Sequence, residues 1–320
     1  MIKNEDVTFV IQGSISDNAT LHSTNKLIRS LKRFYPGSDL IVSTFQSLKL
    51  EKVECNNFVI SNDPGSQKSN ILTGAMNNVN RQITASREGL IQVNTKYSIK
   101  LRNDLIFKNN HLLKVLNARP PKAISSYSLT KEYVIICNFT TVNPSKFLKL
   151  PHHPCDWLYA GLTSDILSIW DIKHFSDEDA HYYEKPEFHK VSIHQRGDIN
   201  RFRPEAFIWK SFLEKSVKLD FEDSYDLSSD NIRITNRYFA NNLVILTPRI
   251  LGFKSQKHKQ KLKSKSKMYS LRDYKKLIDH YGITMNYPKF DLDSIIIDIY
   301  RYIFNYFGRF LKKNNVSIRY

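Results

Sequence analysis

The sequence predicts an α/β protein with a doubly wound sheet, and two observations carry that prediction. Over the first hundred residues, short apolar segments rich in β-branched side chains alternate with longer segments of helical periodicity. Turn residues such as Pro36 and Gly37 separate the two kinds of segment. This alternation is typical of parallel strands joined by helices, whose ligands bind beyond the carboxyl ends of the strands.

Each element in the first half follows from its composition. Val7–Gln12 is an apolar, β-rich segment that ends at Gly13, so we predict a buried first strand. Apolar residues from 21 to 31 then keep helical spacing until Pro36 and Gly37 end the helix. The same reasoning predicts strands at 39–44, 57–61 and 97–101 and a helix at about 70–93. Functional residues are therefore expected in the loops after these strands.

The second half is less regular, and we interpret it as an elaboration of the same domain. Its patterns predict strands at 123–127 and 133–139 and helices at about 163–170 and 204–215. The predicted division of the chain is a first half at 1–107, a second half at 108–253, a basic linker at 254–276 and an amphipathic helical segment at 277–320.

Positive charge is concentrated near the carboxyl terminus. The net charge is +17, and residues 254–276 hold ten Lys or Arg against the single acid Asp273. Isoleucine, leucine and aromatic residues between 295 and 311 alternate with polar residues at helical spacing, namely Asp298, Arg301, Asn305, Arg309 and Lys312. Such a helix suits the headgroup region of an anionic membrane surface, with residues 254–320 as the contact. The alternative is a helix packed on the protein body or on a second copy.

Cysteine content and hydropathy indicate a cytoplasmic protein. Three cysteines without CxxC spacing predict neither a disulfide framework nor a zinc site. Acidic Glu5 and Asp6 precede the first apolar segment, which is the wrong order for a signal peptide, and no apolar stretch is long enough to span a bilayer. We therefore expect a peripheral protein on the inner face of the plasma membrane.

Two groups of residues could hold a nucleoside diphosphate. Asp104 follows the strand at 97–101, and one carboxylate at a strand end is enough to bridge a divalent cation to phosphates. Asp63 follows another strand, and Arg81 and Gln82 lie on the helix that leads to the Asp104 strand. An Arg fork matches phosphate, and Asp63 could accept from a base or a ribose hydroxyl. No GxxxxGK[ST] or GxGxxG motif is present, which disfavours ATP and NAD.

Six ordered blocks in residues 7–107 resemble the WavE-type lipopolysaccharide-synthesis proteins, a family of glycosyltransferases with a GT-A-like fold. The blocks lie at residues 10–13, 43–44, 62–65, 80–83, 86–90 and 100–104, and they read VIQG, ST, NDPG, NRQI, SREGL and KLRND. The resemblance implies a Rossmann-type mixed sheet flanked by helices and transfer of a sugar from a nucleotide-sugar to a surface glycan. It makes 1–107 the nucleotide-sugar-binding half and 108–253 the acceptor-binding half.

The resemblance also implies roles for individual residues. Asp104 stands where GT-A enzymes have a metal-binding DxD motif, although Arg102-Asn103-Asp104 has one acid, and the expected cation is Mn²⁺ or Mg²⁺. The residues expected to bind the donor are Gln12, Asp63, Arg81, Gln82 and Arg102.

Two carboxylates in the second half are candidates for catalysis. An inverting transfer needs a general base for the acceptor hydroxyl, and Glu205 follows Pro204 at a predicted helix start. The alternative role of Glu205 is to stabilise the helix dipole. Asp156 is the second candidate and could orient acceptor hydroxyls while Trp157 stacks on a sugar ring.

The sequence is also compatible with two other functions. One is a non-catalytic nucleic-acid-binding protein that uses the basic carboxyl-terminal segment, although nucleic-acid-binding motifs are missing and nucleic acid is not an expected partner. The other is an enzyme of the same fold that moves a phosphate-bearing group or only activates a sugar. The expected partners are a nucleotide-sugar donor, a glycan or lipid-linked acceptor and an anionic membrane.

Overall fold

The computed structural model describes residues 1–122, 124–146, 150–188, 197–257, 267–284 and 291–313, with side chains described up to residue 303 in the last range. Its centre is a seven-stranded mixed sheet flanked by helices, which confirms the predicted α/β, Rossmann-type fold class. In spatial order the strands are β10 (Leu243–Leu246), β8 (Val134–Cys137), β9 (Leu158–Leu162), β6 (Tyr97–Arg102), β1 (Val7–Gln12), β2 (Asp39–Phe45) and β3 (Phe58–Ser61).

Helices and two small sheets complete the architecture. The helices are α1 (Asn18–Phe34), α2 (Val79–Ile91), α3 (His111–Asn117), α4 (Thr163–Trp170), α5 (Asp177–Ala180), α6 (Pro204–Leu213), α7 (Ser229–Asn242), α8 (Pro248–Leu251), α9 (Leu271–His280) and α10 (Leu292–Lys313). The small sheets pair β4 (Gln67–Lys68) with β5 (Met76–Asn77) and β7 (Leu105–Phe107) with β11 (Phe253–Ser255). Short 3₁₀ helices lie at Asn4–Asp6, Leu50–Lys52, Tyr182–Glu184 and Pro186–Phe188.

The direction of β9 determines which strand ends meet at one edge of the sheet. This strand is antiparallel to β6 and to β8, whereas the other neighbouring pairs in the central sheet are parallel. The start of β9 therefore meets the carboxyl ends of β6 and β8 at one edge, with Leu158 opposite Leu101. We call this the carboxyl edge of the sheet.

The sheet has a hydrophobic core on each face. Along β6, Ile99 and Leu101 join the core beneath α1, while Lys100 points to the other face and lies against Trp170 of α4. Helix α2 packs closely on that second face, because a Cβ on Gly89 would lie 2.5 Å from Val10 Cγ1. Burying one large apolar side chain stabilises the folded state by about 1.5–3 kcal/mol. The many buried side chains of the two cores therefore hold the strands, and with them the carboxyl edge, in place.

Most predicted elements are confirmed, and two are wrong. The helix predicted from about residue 70 begins at Val79, because the hairpin β4–β5 precedes it and Gly74 adopts a positive φ of 66°. The Asn77 side chain then accepts from the backbone of Val79 at 2.9 Å. The strand predicted at 123–127 is not formed by residues 124–127, where Tyr127 lies in a turn and its carbonyl accepts from Asn242.

The predicted amphipathic carboxyl-terminal helix is present as α10. Its inner side packs on α9, where Ser294 Oγ accepts from the backbone of Leu271 and Arg301 pairs with Asp273. Its outer side carries exposed apolar residues. None of the described helices combines the length and apolar character that crossing a membrane requires. The predicted basic linker contributes β11 at one end and part of α9 at the other, and its residues 258–266 lie outside the described ranges.

Candidate active site

Arg102 joins two carboxylates at the carboxyl edge. Its guanidinium donates to both oxygens of Asp104, from Nε at 3.1 Å and from Nη2 at 2.8 Å. Its Nη1 lies 3.7 Å from Asp156 Oδ2. The turn after β6 presents Asp104, and the segment before the antiparallel β9 presents Asp156. The structure thus brings together three residues that the sequence places up to 54 positions apart.

Asp156 is almost completely buried, and one of its oxygens finds no partner in the described part of the chain. Burial raises the pKa of Asp156, Arg102 opposes this shift, and the carboxylate of Glu205 adds to it. Its Oδ1 has no hydrogen-bond partner among the described residues. Buried polar atoms are normally paired, so an unpaired acceptor here indicates a place for a ligand atom. For Arg102, burial disfavours the charge, but Asp156 and Asp104 outweigh it and raise its pKa.

Glu205 lies in the first turn of α6, as predicted, and contacts a histidine. His153 Nε2 is 3.5 Å from Glu205 Oε2, while His153 Nδ1 is 3.0 Å from the carbonyl oxygen of Thr140. A carbonyl can only accept, so Nδ1 carries the proton and Nε2 presents a lone pair to Glu205. Burial and the charges of Arg203 and Lys267 lower the pKa of His153 to about 3, so the ring is neutral at pH 7.

The proton affinity of Glu205 is raised in the same surroundings. Burial raises the pKa of Glu205, and the charges of Arg203, Arg102 and Lys267 oppose the shift. A carboxylate with a raised pKa is a better proton acceptor near neutral pH. When Glu205 takes a proton, it can donate that proton to the lone pair on His153 Nε2. The pair is therefore arranged to accept a proton from a third group.

Strained backbone supports this arrangement. Thr140 and His152 have φ values of 67° and 56°, which residues with a Cβ adopt rarely. Strain of this kind costs about 1–3 kcal/mol per residue and is concentrated at functional sites. The Thr140 carbonyl fixes the His153 tautomer, and His152 directly precedes His153 in the chain. The strain thus lies in the two segments that orient His153 towards Glu205.

Asp63 and Arg81 form a second, separate group. Arg81 Nε and Nη2 donate to the two oxygens of Asp63, both at 2.7 Å, and Arg81 Nη1 donates to Asn78 Oδ1 at 3.0 Å. The hydrogen bonds from Arg81 lower the pKa of Asp63, so its carboxylate stays ionised. Asp63 follows β3, three strands from β6, which corresponds to about 14 Å across the sheet. An extended nucleoside diphosphate can span a separation of this order.

A polar row lies between these two groups. Gln12 ends β1 and pairs in register with Arg102 of β6 on one side and with Ser43 of β2 on the other. Gln82 lies on α2 above this face of the sheet. The described residues offer no hydrogen-bond partner to the buried oxygens Gln12 Oε1, Ser43 Oγ, Gln82 Oε1 and Ser86 Oγ. Buried polar atoms are normally paired, so these four oxygens mark the polar row as a candidate ligand site.

The carboxylates fit a divalent cation only together with ligand oxygens. Hard cations take one or two protein carboxylates plus substrate phosphates, and Asp104 with the unpaired Asp156 Oδ1 could supply such oxygens. Within the described ranges, no cluster of three or more His, Cys, Asp or Glu is arranged to hold a metal. A cation at Asp104 would therefore need the phosphates of a bound nucleotide.

Sequence reasoning missed three members of this site. Lys100 is fully buried, and its Nζ donates to the backbone carbonyl of Asp156 at 2.7 Å. His153 and Lys267 were not predicted either. A charged residue inside the apolar strand Tyr97–Arg102 was a readable signal for Lys100. No local pattern marks His153 or Lys267, because their role depends on contacts with distant segments.

Comparison with known protein families identifies the family of the chain. The family model for WavE lipopolysaccharide synthesis matches residues 7–315, which is nearly the whole chain. A search of curated proteins finds no match.

Proposed function

Because the chain belongs to the WavE lipopolysaccharide synthesis family, we propose that it is a GT-A-type glycosyltransferase that uses a nucleotide-sugar donor. Family membership gives it a part in lipopolysaccharide biosynthesis, and the acceptor would be a lipopolysaccharide, capsule or other surface glycan. The observation that carries the proposal is the convergence of Asp104, Asp156 and Glu205 around Arg102 at the carboxyl edge.

The donor would bind along the polar row. Asp63 and Arg81 would hold the nucleoside, Gln12 and Gln82 would pair with its polar groups, and Arg102 would face the diphosphate. A planar guanidinium matches phosphate oxygens and stabilises the charge that develops as the diphosphate leaves. Asp104 keeps Arg102 in place through the two hydrogen bonds that it accepts.

Glu205 would act as the general base. The acceptor hydroxyl oxygen forms a bond to the anomeric carbon, and the bond from that carbon to the diphosphate oxygen breaks and leaves its electron pair on the diphosphate. The hydroxyl proton passes to Glu205, which then donates it in a hydrogen bond to His153 Nε2. Asp156 would orient the acceptor through its unpaired Oδ1.

A divalent cation would be held by Asp104 and the donor diphosphate. It would supply positive charge to the leaving group in addition to the charge of Arg102. The Asp104→Asn variant should then lose any stimulation by Mn²⁺ while keeping its fold. If that variant is stimulated by Mn²⁺ as strongly as the wild-type protein, Asp104 does not hold the cation.

Helix α10 would bind an anionic membrane on the cytoplasmic side. Its exposed apolar residues recur at helical spacing and include Ile299 and Tyr302, which are 53% and 75% exposed. The lysines that the sequence has in 254–276 would complement acidic headgroups. Deleting residues 292–320 should release the protein from phosphatidylglycerol vesicles. Retained binding would contradict the membrane role and favour a helix that contacts a second copy.

The experiment that tests the function is a screen of nucleotide-sugars with product analysis. We expect one nucleotide class to raise the melting temperature and its sugar to appear on an acceptor glycan or, slowly, on water. Transfer of a phosphate-bearing group in place of a sugar would contradict the proposal. Tight, salt-dependent binding to duplex DNA without nucleotide-sugar binding would favour the nucleic-acid alternative.

A further inference from the structure

A cavity opens between the segment that follows β8 and the helices α7 and α9. It has a volume of about 490 Å³, and its lining shares no residue with the cluster of Arg102, Asp104, Asp156 and Glu205. Three segments form it: residues 143–146, which follow β8, the first half of α7, and residues 269–281, which include α9. The cavity is large enough for a phosphorylated sugar or a diphosphate.

The charged residues that line this cavity are mainly cationic. Lys146, Arg233 and Lys276 line it, and among the described residues of the lining Asp273 is the one acid. The charge of Asp273 is partly neutralised by the protein, because its Oδ2 pairs with Arg301 of α10 and accepts a hydrogen bond from the backbone N–H of Ser270. The cavity therefore presents an excess of positive charge to a ligand.

Two of these cations, Lys146 and Arg233, have acidic neighbours. Lys146 Nζ lies 3.6 Å from Asp273 Oδ1, which is long for an ion pair. Arg233 pairs at 3.0 Å with Asp230, and both side chains are more than half exposed. Exposed ion pairs of this kind contribute about 0–1 kcal/mol, so a phosphate can replace Asp230 as the partner of Arg233.

Polar donors and an apolar wall complete the cavity. Asn236 donates to Ser145 Oγ at 3.1 Å and accepts from the Tyr269 hydroxyl at 3.0 Å, which orients its amide towards the cavity lining. Ile232 and Leu277 supply apolar surface. Cations, amides and apolar contacts together suit a phosphate attached to a glycan better than a free inorganic ion.

The backbone connects this cavity to the catalytic base. Thr140, whose carbonyl fixes His153, lies three residues before the cavity residue Asn143. Between them, Val142 donates to the His153 carbonyl at 3.0 Å, and Asn143 donates to the carbonyl of Lys267 at 2.8 Å. Three residues span at most about 10 Å, so Asn143 lies within that distance of the residue whose carbonyl holds His153. On its far side, Asp273 contacts α10 through Arg301.

We propose that this cavity binds a phosphate group carried by the acceptor and so places the acceptor glycan against Glu205; this rests on the proposed function. The phosphate is recognised by Arg233, Lys276 and Lys146. One side of the cavity adjoins the segment that holds His153 beside Glu205, and the other side adjoins α10. An acceptor attached to a membrane lipid would extend from α10 through the cavity to Glu205.

Calorimetric titration of the full chain with inorganic pyrophosphate tests the proposal. The variant R233Q/K276Q should lose at least about tenfold in pyrophosphate affinity at this site. The control variant K26Q/R29Q removes the same charge from α1 and should bind like the wild-type protein. Asp104→Asn should keep the binding event that R233Q/K276Q loses. Wild-type affinity in R233Q/K276Q, or loss of the same event in Asp104→Asn, would overturn the proposal.

Vesicle sedimentation distinguishes the two sources of the phosphate. If the cavity takes the acceptor phosphate, R233Q/K276Q should still sediment with phosphatidylglycerol vesicles. Loss of sedimentation would assign the cavity to lipid headgroups and overturn the acceptor role. The binding test can succeed even if the proposed function is wrong. If the wild-type protein turns over no nucleotide-sugar, the transferase proposal fails. If pyrophosphate binding is still lost in R233Q/K276Q alone, the phosphate site stands.

Discussion

Lys100 gives the most quantitative prediction from the structure. Its side chain is fully buried in β6, its ammonium lies 3.9 Å from the ring centroid of Trp170, and it donates to the carbonyl of Asp156. Burial lowers the pKa of Lys100 to about 7, with the charge of Asp156 acting in the opposite direction. The ordinary value is 10.5, so folding changes the protonation of this one group over a wide pH range.

The sign of the effect follows from proton linkage. Between pH 7 and pH 10, the unfolded chain keeps a proton on Lys100 that the folded protein has released. The free energy of unfolding therefore rises with pH, with a slope that approaches about 1.4 kcal/mol per pH unit. Below pH 7 both states are protonated, and the destabilisation by the buried charge is fully present.

The perturbation is Lys100→Met, which shortens the side chain by one atom and removes the charge. Urea denaturation between pH 6 and pH 9.5 gives the free energy of unfolding for each variant. The difference, wild type minus Lys100→Met, should be flat below pH 7 and rise above it. The variant also loses the hydrogen bond to the backbone carbonyl of Asp156. This loss changes the difference in free energy by the same amount at every pH and leaves its slope unchanged. Lys26→Met, an exposed position on α1, is the matched control and should give a flat difference.

A flat difference for Lys100→Met across the whole pH range would refute the reasoning. It would mean that Lys100 has the same proton affinity in the folded and unfolded states, and that the burial described here does not act on its charge.

Three further predictions test the donor group, the packing of α2 and the membrane face. Arg81→Lys removes the two-point contact with Asp63, so KM for the nucleotide-sugar should rise several-fold with kcat nearly unchanged; a fall in kcat alone would contradict donor binding. Gly89→Ala places a methyl group 2.5 Å from Val10 Cγ1 and should destabilise the fold by about 1–3 kcal/mol in urea denaturation, and wild-type stability would show that α2 can move away. Ile299→Asp should weaken sedimentation with phosphatidylglycerol vesicles, and unchanged sedimentation would exclude this face.

The positions of several candidate residues in the fold were predictable from the sequence because they follow local rules. Asp63 and Asp104 each follow a short apolar strand, and the carboxyl ends of parallel strands share one edge. Glu205 follows a proline at a helix start, and this position is also local. The error at residues 70–78 has a local cause as well, since Gly74 and the amide of Asn77 favour a turn over a helix.

The internal contacts of the site were not predictable in the same way. Asp156 reaches Arg102 only because β9 runs antiparallel to β6, and strand direction is not written in the composition of β9. His153 meets Glu205 across 52 residues of chain, through a tautomer fixed by Thr140. These contacts depend on tertiary packing, which periodicity and turn signals do not encode.

The most direct test of the central claim separates donor binding from acceptor activation. With the nucleotide-sugar identified by the screen, donor affinity is measured by calorimetry and transfer by single-turnover kinetics for Glu205→Gln and Asp104→Asn. We predict that Glu205→Gln keeps wild-type donor affinity and loses about 10²–10⁴-fold in transfer rate, whereas Asp104→Asn loses donor affinity. Transfer by Glu205→Gln at the wild-type rate, or wild-type donor affinity in Asp104→Asn, would contradict the account.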